Sequence, residues 1–261
     1  MQHNFFARKR LKTLLYCAFL LAITLIAILI TNYNVFKGFT SIPKAAEWAF
    51  NNFYPNEKSL KRLPVIMSSL SETVLVSIAA TAVAALFALI FAIAGSHTTG
   101  AGGVFSFVSR SIATVFRNID VSAWSMILLI SFGQNVLTGY FALFFGSFGF
   151  LTRAFTESID EVSGSSVEAL RSTGAGYFSI ISQSVIPACI PQLISWILFM
   201  METNIRQATL IGILTGTGIG FLFSLYYKSL NFSAASLIVL VLVLAIFVIE
   251  TVSTYIRKVI L

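Results

Sequence analysis

The chain has 261 residues, of which 57% are hydrophobic and 10% are charged, and its mean hydropathy is +0.89. A soluble globular domain carries about 25% charged residues, so this chain has too few charges to coat a water-facing surface. The formal net charge of +7 is compatible with contact to a membrane surface. No basic patch interleaved with aromatic residues supports nucleic-acid binding.

Long uncharged runs indicate how the chain meets the membrane. Five stretches contain no Asp, Glu, Lys or Arg: residues 13–36, 73–109, 121–152, 172–201 and 229–249. A membrane-spanning helix needs about 20 mostly apolar residues, and backbone in lipid must satisfy its own hydrogen bonds, which favours helices. The sequence therefore predicts an all-α, multi-pass protein of the cell membrane with about six transmembrane helices.

The first predicted span is Leu14–Ile30, which follows a basic N-terminal segment. It is long for the apolar region of a secretory signal, and no small-residue cleavage pattern follows it. We therefore interpret it as a retained helix whose N-terminus lies in the cytoplasm. Residues 1–64 would comprise the N-terminal tail, this helix and a connecting segment, and residues 65–261 the main membrane domain.

The other spans are predicted at Val65–Gly95, Pro187–Leu210 and Phe232–Glu250, with two more inside residues 121–152. That run is too long for one ordinary helix, and the turn-forming sequence FGQNVLTG divides it near Asn135. Residues 104–118 would then form an amphipathic lead-in.

Six passes place both termini in the cytoplasm, which suits Arg257 and Lys258. The same topology leaves five basic residues outside, against the positive-inside rule: Lys37, Lys44, Lys58, Lys61 and Arg62.

Metal-binding and catalytic patterns are absent from the sequence. Cys17 and Cys189 lie in apolar surroundings typical of inert thiols, and neither His3 nor His97 has a partner ligand nearby in the sequence. No phosphate-binding G-x-x-x-x-G-K-[ST] loop occurs. The sequence thus predicts no catalytic, cofactor or metal site, and no ATP hydrolysis by this chain alone.

Residues 165–187 predict a helix–turn–helix on the cytoplasmic side of the membrane. Ser165 and Glu168 have the spacing of a capping box, and Gly174 stands where a short helix would end. A second amphipathic helix would follow, and Pro187 would open the next span. Taken alone, the segment could be a simple interfacial connector.

The order of residues in this segment resembles the E-A-A-x3-G-x9-I-x-L-P loop of ABC-importer permeases. It is carried by Glu168, Ala169, Leu170, Gly174 and the Ser184-Val185-Ile186-Pro187 ending, with Leu170, Ser184 and Ile186 departing from the pattern. In that family the loop, here about residues 157–187, forms a coupling helix that docks on a separate ATPase subunit. The resemblance implies a type I ABC-importer permease core over residues 65–261.

Further segments resemble the phosphonate branch of these permeases, and the match covers most of residues 70–255. Phe155–Gly176 has the acidic lead-in of that branch, and Glu202–Gly220 resembles its E-x-N-x-R-x-A-T segment with a glycine-rich tail. Phe116–Leu129 resembles its arginine-containing span entry, although Asp120 stands where the family usually has proline.

The charged segment Glu202–Gly220 has two interpretations. Glu202 and Arg206 are four residues apart and could neutralise each other on one helix face. Alternatively, Arg206, with Asn204 and Thr209 nearby, could help an oxyanion pass, because a guanidinium matches such oxygens in bidentate fashion. The glycines that follow would permit close helix packing or a bending gate: Gly212, Gly216, Gly218 and Gly220.

The resemblance implies the transmembrane subunit of an ATP-driven importer for phosphonate or a related phosphorus oxyanion. Its expected partners are a second copy of the chain, two ATPase subunits that hold ATP and Mg²⁺, and an extracytoplasmic binding protein. The alternatives are a permease for phosphate, thiamine phosphate, an amino acid or another small solute, an ATP-independent carrier or channel, and a membrane scaffold.

Overall fold

The computed structural model describes residues 2–100, 102–162 and 164–260, with side chains from residue 9 onward except at Ser165. The described chain is helical throughout and divides into two compact units, residues 1–54 and 55–261. The first unit holds α1 (Gln2–Thr31) and α2 (Val35–Asn52), and Asn34 caps α2 by accepting from the backbone N–H of Lys37. Within α1, residues 9–31 are long and apolar enough to cross a membrane.

The second unit contains ten helices among its described residues. They are α3 (Glu57–Leu60), α4 (Leu63–Gly95), α5 (Gly103–Asn118), α6 (Val121–Phe132), α7 (Val136–Val162), α8 (Gly164–Ser172), α9 (Tyr177–Ile180), α10 (Ile186–Thr215), α11 (Gly218–Lys228) and α12 (Phe232–Ile260). A π-helical turn, Ile181–Val185, joins α9 to α10 without a break.

Helices α4 and α7 form the centre of this unit and run in the same direction. Phe87 contacts Phe144, and one turn further along both helices Phe91 contacts Phe148. The face of α4 in the core is lined by alanines, which let the two backbones approach closely: Ala80, Ala84, Ala85, Ala88 and Ala92. The fully buried Leu151 and Phe155 of α7 pack in one cluster with all of these alanines except Ala80.

The chain offers five single helices that can span a membrane, and six crossings if the bent pair α5–α6 counts as one. The predicted division near Asn135 is present, because α6 ends at Phe132 and α7 begins at Val136. The prediction that the segment before Asn135 spans alone was wrong. At 1.5 Å per residue its 12 residues reach about 18 Å, short of a hydrocarbon core of about 30 Å. Residues 103–118 form the helix before it, and the two helices meet at a 90° bend.

The predicted helix–turn–helix differs from the structure in its second half. The helix that begins at Tyr177 runs into α10 and ends at Thr215, so Pro187 does not open a separate span. The π-helical turn ends at Val185, two residues before Pro187. In a regular α-helix the proline ring would clash with the carbonyl four residues earlier, which accounts for a π-helical turn at this place. Helix α8 is described from Gly164, so Ser165 lies inside it rather than at its N-cap, and its side chain lies outside the described residues.

Candidate functional site

Asn204 of α10 joins three helices through a buried polar contact. Its side chain is fully buried, and Nδ2 donates to Oγ1 of Thr81 on α4 at 2.7 Å and to Oγ of Ser147 on α7 at 2.6 Å. The Asn204 Oδ1 atom has no partner among the described residues. In this conformation Asn204 therefore holds α4, α7 and α10 together rather than facing an open path.

Glu202, one turn before Arg206 on α10, is shared by two arginines. Its Oε1 accepts from Arg206 Nη1 at 2.8 Å, and its Oε2 accepts from Arg257 Nη2 of α12 at 3.2 Å. Arg257 also donates to Ser253 at 2.9 Å. The i, i+4 pair expected from the sequence is present, but the contribution of Arg257 was missed. From the sequence, Arg257 was expected only to mark the cytoplasmic end of the last span.

The three charged side chains differ in exposure. The Glu202 side chain is 10% exposed, whereas those of Arg206 and Arg257 are 43% and 28% exposed. Two guanidinium groups against one carboxylate leave a formal charge of +1. Arg206 donates one of its five N–H groups to Glu202, and its partly exposed guanidinium has further N–H groups that could donate to another acceptor.

The glycine-rich segment turns the chain back against α10. Gly216 and Gly218 have positive φ angles of 71° and 60°, and α11 begins directly there. The backbone N–H of Ile219 donates to Thr73 Oγ1 of α4 at 2.9 Å, which fixes this turn to α4. A side chain at Gly220 would collide with the backbone carbonyl of Thr209, so the close approach of α10 and α11 requires glycine.

Thr209, the third predicted pathway residue, lies on the inner side of this turn. Its Oγ1 atom is buried and has no hydrogen-bond partner among the described residues. The structure therefore buries Asn204, leaves Thr209 half-buried with its hydroxyl covered, and exposes Arg206.

Helix α8 presents the residues expected in a coupling loop. Val167 is buried in the core cluster, whereas Glu168 and Ala169 on the next positions are exposed and Leu170 is half-buried. Gly174 ends the helix with a φ of 78°, a conformation that favours glycine. The helix is thus anchored on one side and open to a partner on the other.

A loop between α4 and α5 connects α8 to the rest of the fold. Arg171 of α8 donates to the carbonyl of Thr98 at 2.8 Å. Asp160, near the end of α7, accepts from Ser96 Oγ at 2.6 Å and from both the N–H and the Oγ1 of Thr98 at 3.1 Å. The loop therefore contacts both α8 and the end of α7.

The fold is a multi-pass helical bundle in which an exposed helix, α8, lies between two spans and contacts the loop after α4. The chain belongs to the binding-protein-dependent transport system inner membrane component family, which matches residues 84–260.

Known relatives match most of the chain at low identity. The phosphate-import permease protein PhnE of Mycolicibacterium smegmatis is 26% identical over 74% of this chain, but the match covers 36% of that protein. The phosphite transport system permease protein PtxC of Stutzerimonas stutzeri is 28% identical, covering 72% of this chain and 69% of the relative. The chain thus spans about a third of the length of the first relative and two thirds of the second.

Solved structures share the fold. A chain of the inward-facing MetNI methionine ABC transporter superposes with a TM-score of 0.63 at 18% identity, covering 75% of this chain and 97% of that chain. A chain of an amino acid ABC transporter solved with histidines gives a TM-score of 0.65 at 16% identity, covering 76% and 95%. The fold is therefore that of ABC-importer permeases.

Proposed function

We propose that this chain is the transmembrane subunit of an ATP-driven importer of a phosphorus oxyanion such as phosphonate, phosphite or phosphate. The observation that carries the proposal is the accessible Arg206 guanidinium, which lies in a segment that resembles the phosphonate permeases and is only partly satisfied by Glu202. Relatives named as phosphate and phosphite permeases support the substrate class.

Arg206 suits an oxyanion because its planar fork of N–H donors matches two oxygens at once. Charged side chains inside a membrane are costly unless they pair or face a water-filled path. Arg257 already occupies the second oxygen of Glu202, so Glu202 stays paired while Arg206 exchanges partners. This arrangement would let Arg206 meet a passing anion without leaving a buried carboxylate alone.

Energy coupling would proceed through α8. The exposed Glu168 and Ala169 and the turn at Gly174 would dock on an ATPase subunit that binds ATP and Mg²⁺, and a second copy of the chain would serve a second ATPase. ATP-driven closure would draw the two α8 helices together and switch the cavity between inward- and outward-facing states as a rigid-body change. An extracytoplasmic binding protein would deliver the solute, and both termini would lie in the cytoplasm.

The test is uptake by the complex in proteoliposomes. The chain, its ATPase and its binding protein are co-purified, and uptake of phosphite, methylphosphonate and phosphate is compared with that of methionine and histidine. We expect ATP-dependent uptake of at least one phosphorus oxyanion and none of the amino acids. Amino acid uptake would favour a different importer, and flux without ATP would favour a carrier or channel.

A further inference from the structure

A second basic region lies between α5 and α7, and Arg206 is not among its lining residues. A cavity of about 380 Å³ opens there, lined by Arg110, Thr114 and Arg117 of α5 and by Thr152, Arg153 and Thr156 of α7. It lies at the same end of the fold as α8, because Asp160 at its rim binds the loop that Arg171 of α8 also contacts.

The carboxylates at this cavity are already engaged. Glu157 accepts from Arg153 Nε at 2.7 Å, and Asp160 Oδ1 accepts from the Ser96 hydroxyl and from Thr98. Counted over Arg, Asp and Glu, the lining has three arginines and two carboxylates, a formal charge of +1. Because Arg153 is the lining arginine that pairs with a carboxylate among the described residues, the other two remain as cationic donors.

Arg110 and Arg117 supply these donors. The Arg110 guanidinium is held in place, since Nε donates to the carbonyl of Gly95 at 2.7 Å and Nη1 contacts His97 Nε2 at 2.7 Å. Its Nη2 is shielded from solvent and has no acceptor among the described residues. Arg117, two turns further along α5, is exposed and forms no ion pair in the part of the chain that the structure describes.

We propose that this cavity binds a phosphate-type oxyanion through Arg110 and Arg117. A cation without a counter-charge attracts an anion, and neither Arg110 nor Arg117 has an ion pair among the described residues. Two arginines on one helix face give the positive charge and the N–H donors that phosphate oxygens bind.

The oxyanion can come from two sources with this chemistry. One is the imported solute on the coupling side of the membrane, in which case the inference rests on the proposed function. The other is the headgroup phosphate of an anionic lipid, which does not depend on the proposed function. Through Asp160 and Thr98, an occupied cavity would in either case stiffen the loop that holds α8.

The test uses the full chain in nanodiscs of neutral phosphatidylcholine and two probes. Radiolabelled inorganic phosphate is titrated by equilibrium dialysis, and retention of phosphatidylglycerol is measured by native mass spectrometry. Arg117→Gln is the principal variant because this side chain is exposed and should not disturb folding; Arg110→Gln is the second. Lys228→Gln, at the end of α11, is the matched control for loss of one positive charge, and Arg206→Gln reports on the other region.

We expect Arg117→Gln to weaken phosphate binding about tenfold, as for loss of one charge-assisted hydrogen bond, with little effect from Lys228→Gln. Arg206→Gln should remove any phosphate that binds near Glu202 and leave the binding that depends on Arg117. Loss of phosphatidylglycerol retention alone in Arg117→Gln would instead identify the lipid headgroup as the source. Equal binding of both probes by the parent, Arg117→Gln and Lys228→Gln would overturn the proposal. Uptake by the assembled complex is scored separately, so failure of the cavity and failure of the proposed function give different results.

Discussion

Glu202 of α10 and Arg257 of α12 form an ion pair at 3.2 Å, although they are 55 residues apart in the sequence. This contact changes the meaning of the neighbouring Glu202–Arg206 pair. Since Arg257 also neutralises the carboxylate, Arg206 is not required for that purpose alone. Removal of Glu202, by contrast, leaves two arginines without a counter-charge.

The first prediction separates assembly from transport at this cluster. Among the single variants, Glu202→Gln should destabilise the assembled complex most, by about 1–3 kcal/mol. This loss is smaller than for breaking a fully buried ion pair, because both arginines are partly exposed. Arg206→Gln should assemble nearly normally but lose most uptake. Assembly is measured by size-exclusion recovery with the ATPase, and uptake in proteoliposomes.

A neutral triple variant completes this experiment. Glu202→Gln with Arg206→Gln still leaves Arg257 unpaired, so Arg257→Gln is added to remove all three charges together. The triple variant should recover assembly, because no charge is left without a partner, yet stay defective in uptake. Full recovery of uptake would assign all three residues a structural role.

The sequence predicted what depends on local composition and spacing. The apolar runs located the spanning helices, the turn-formers located the break near Asn135, and the order Glu168 to Gly174 predicted the exposed helix and its glycine turn. What it did not predict depends on contacts between distant segments. The pairing of Arg257 with Glu202 and the 90° bend between α5 and α6 follow from packing against other helices, which periodicity does not encode.

The second prediction tests the turn that ends α8. Gly174→Asp should leave the chain in the membrane but abolish uptake, because φ is 78° there and a charged side chain at the turn would block close docking. Gly176→Ala is the matched control, since Gly176 has a φ of −69° and no atom lies within 4 Å of an added Cβ. Equal ATPase association and uptake in Gly174→Asp and the parent would contradict the docking role.

The third prediction concerns the isolated chain. Reconstituted alone, it should neither hydrolyse ATP nor move phosphonate down a gradient at a useful rate. Co-expression with the ATPase should yield a complex with two copies of this chain, counted by native mass spectrometry, because one α8 serves one ATPase. Solute-selective flux by the chain alone would favour a carrier or channel.

The fourth prediction addresses the buried contact of Asn204. Asn204→Ala should lower the free energy of unfolding by about 1–2 kcal/mol, a range set by interhelical polar contacts in membranes. The loss is limited because Thr81 and Ser147 also donate to carbonyls of their own helices and keep those bonds. Unfolding in mixed micelles with increasing SDS measures it. Thr203→Ala is the control, because Thr203 precedes Asn204 on α10 and its hydroxyl donates to the Phe199 carbonyl of the same helix. Equal losses of unfolding free energy in the two variants would show that Asn204 does not link the helices.

The last prediction tests the close packing of α11 on α10. Gly220→Ala should be destabilising by about 1–3 kcal/mol, the cost of overpacking a tight contact, because the added methyl meets the Thr209 carbonyl, a backbone atom that cannot rotate away. Gly164→Ala is the control, since nothing lies within 4 Å of its added Cβ. Thermal unfolding in detergent compares the two variants. Gly220→Ala could instead match the control in stability but lose uptake. That result would indicate that the contact between α10 and α11 changes during transport, so that the tight packing is present in one state of a gate. If both stability and uptake match the control, α10 and α11 do not need their close approach at all.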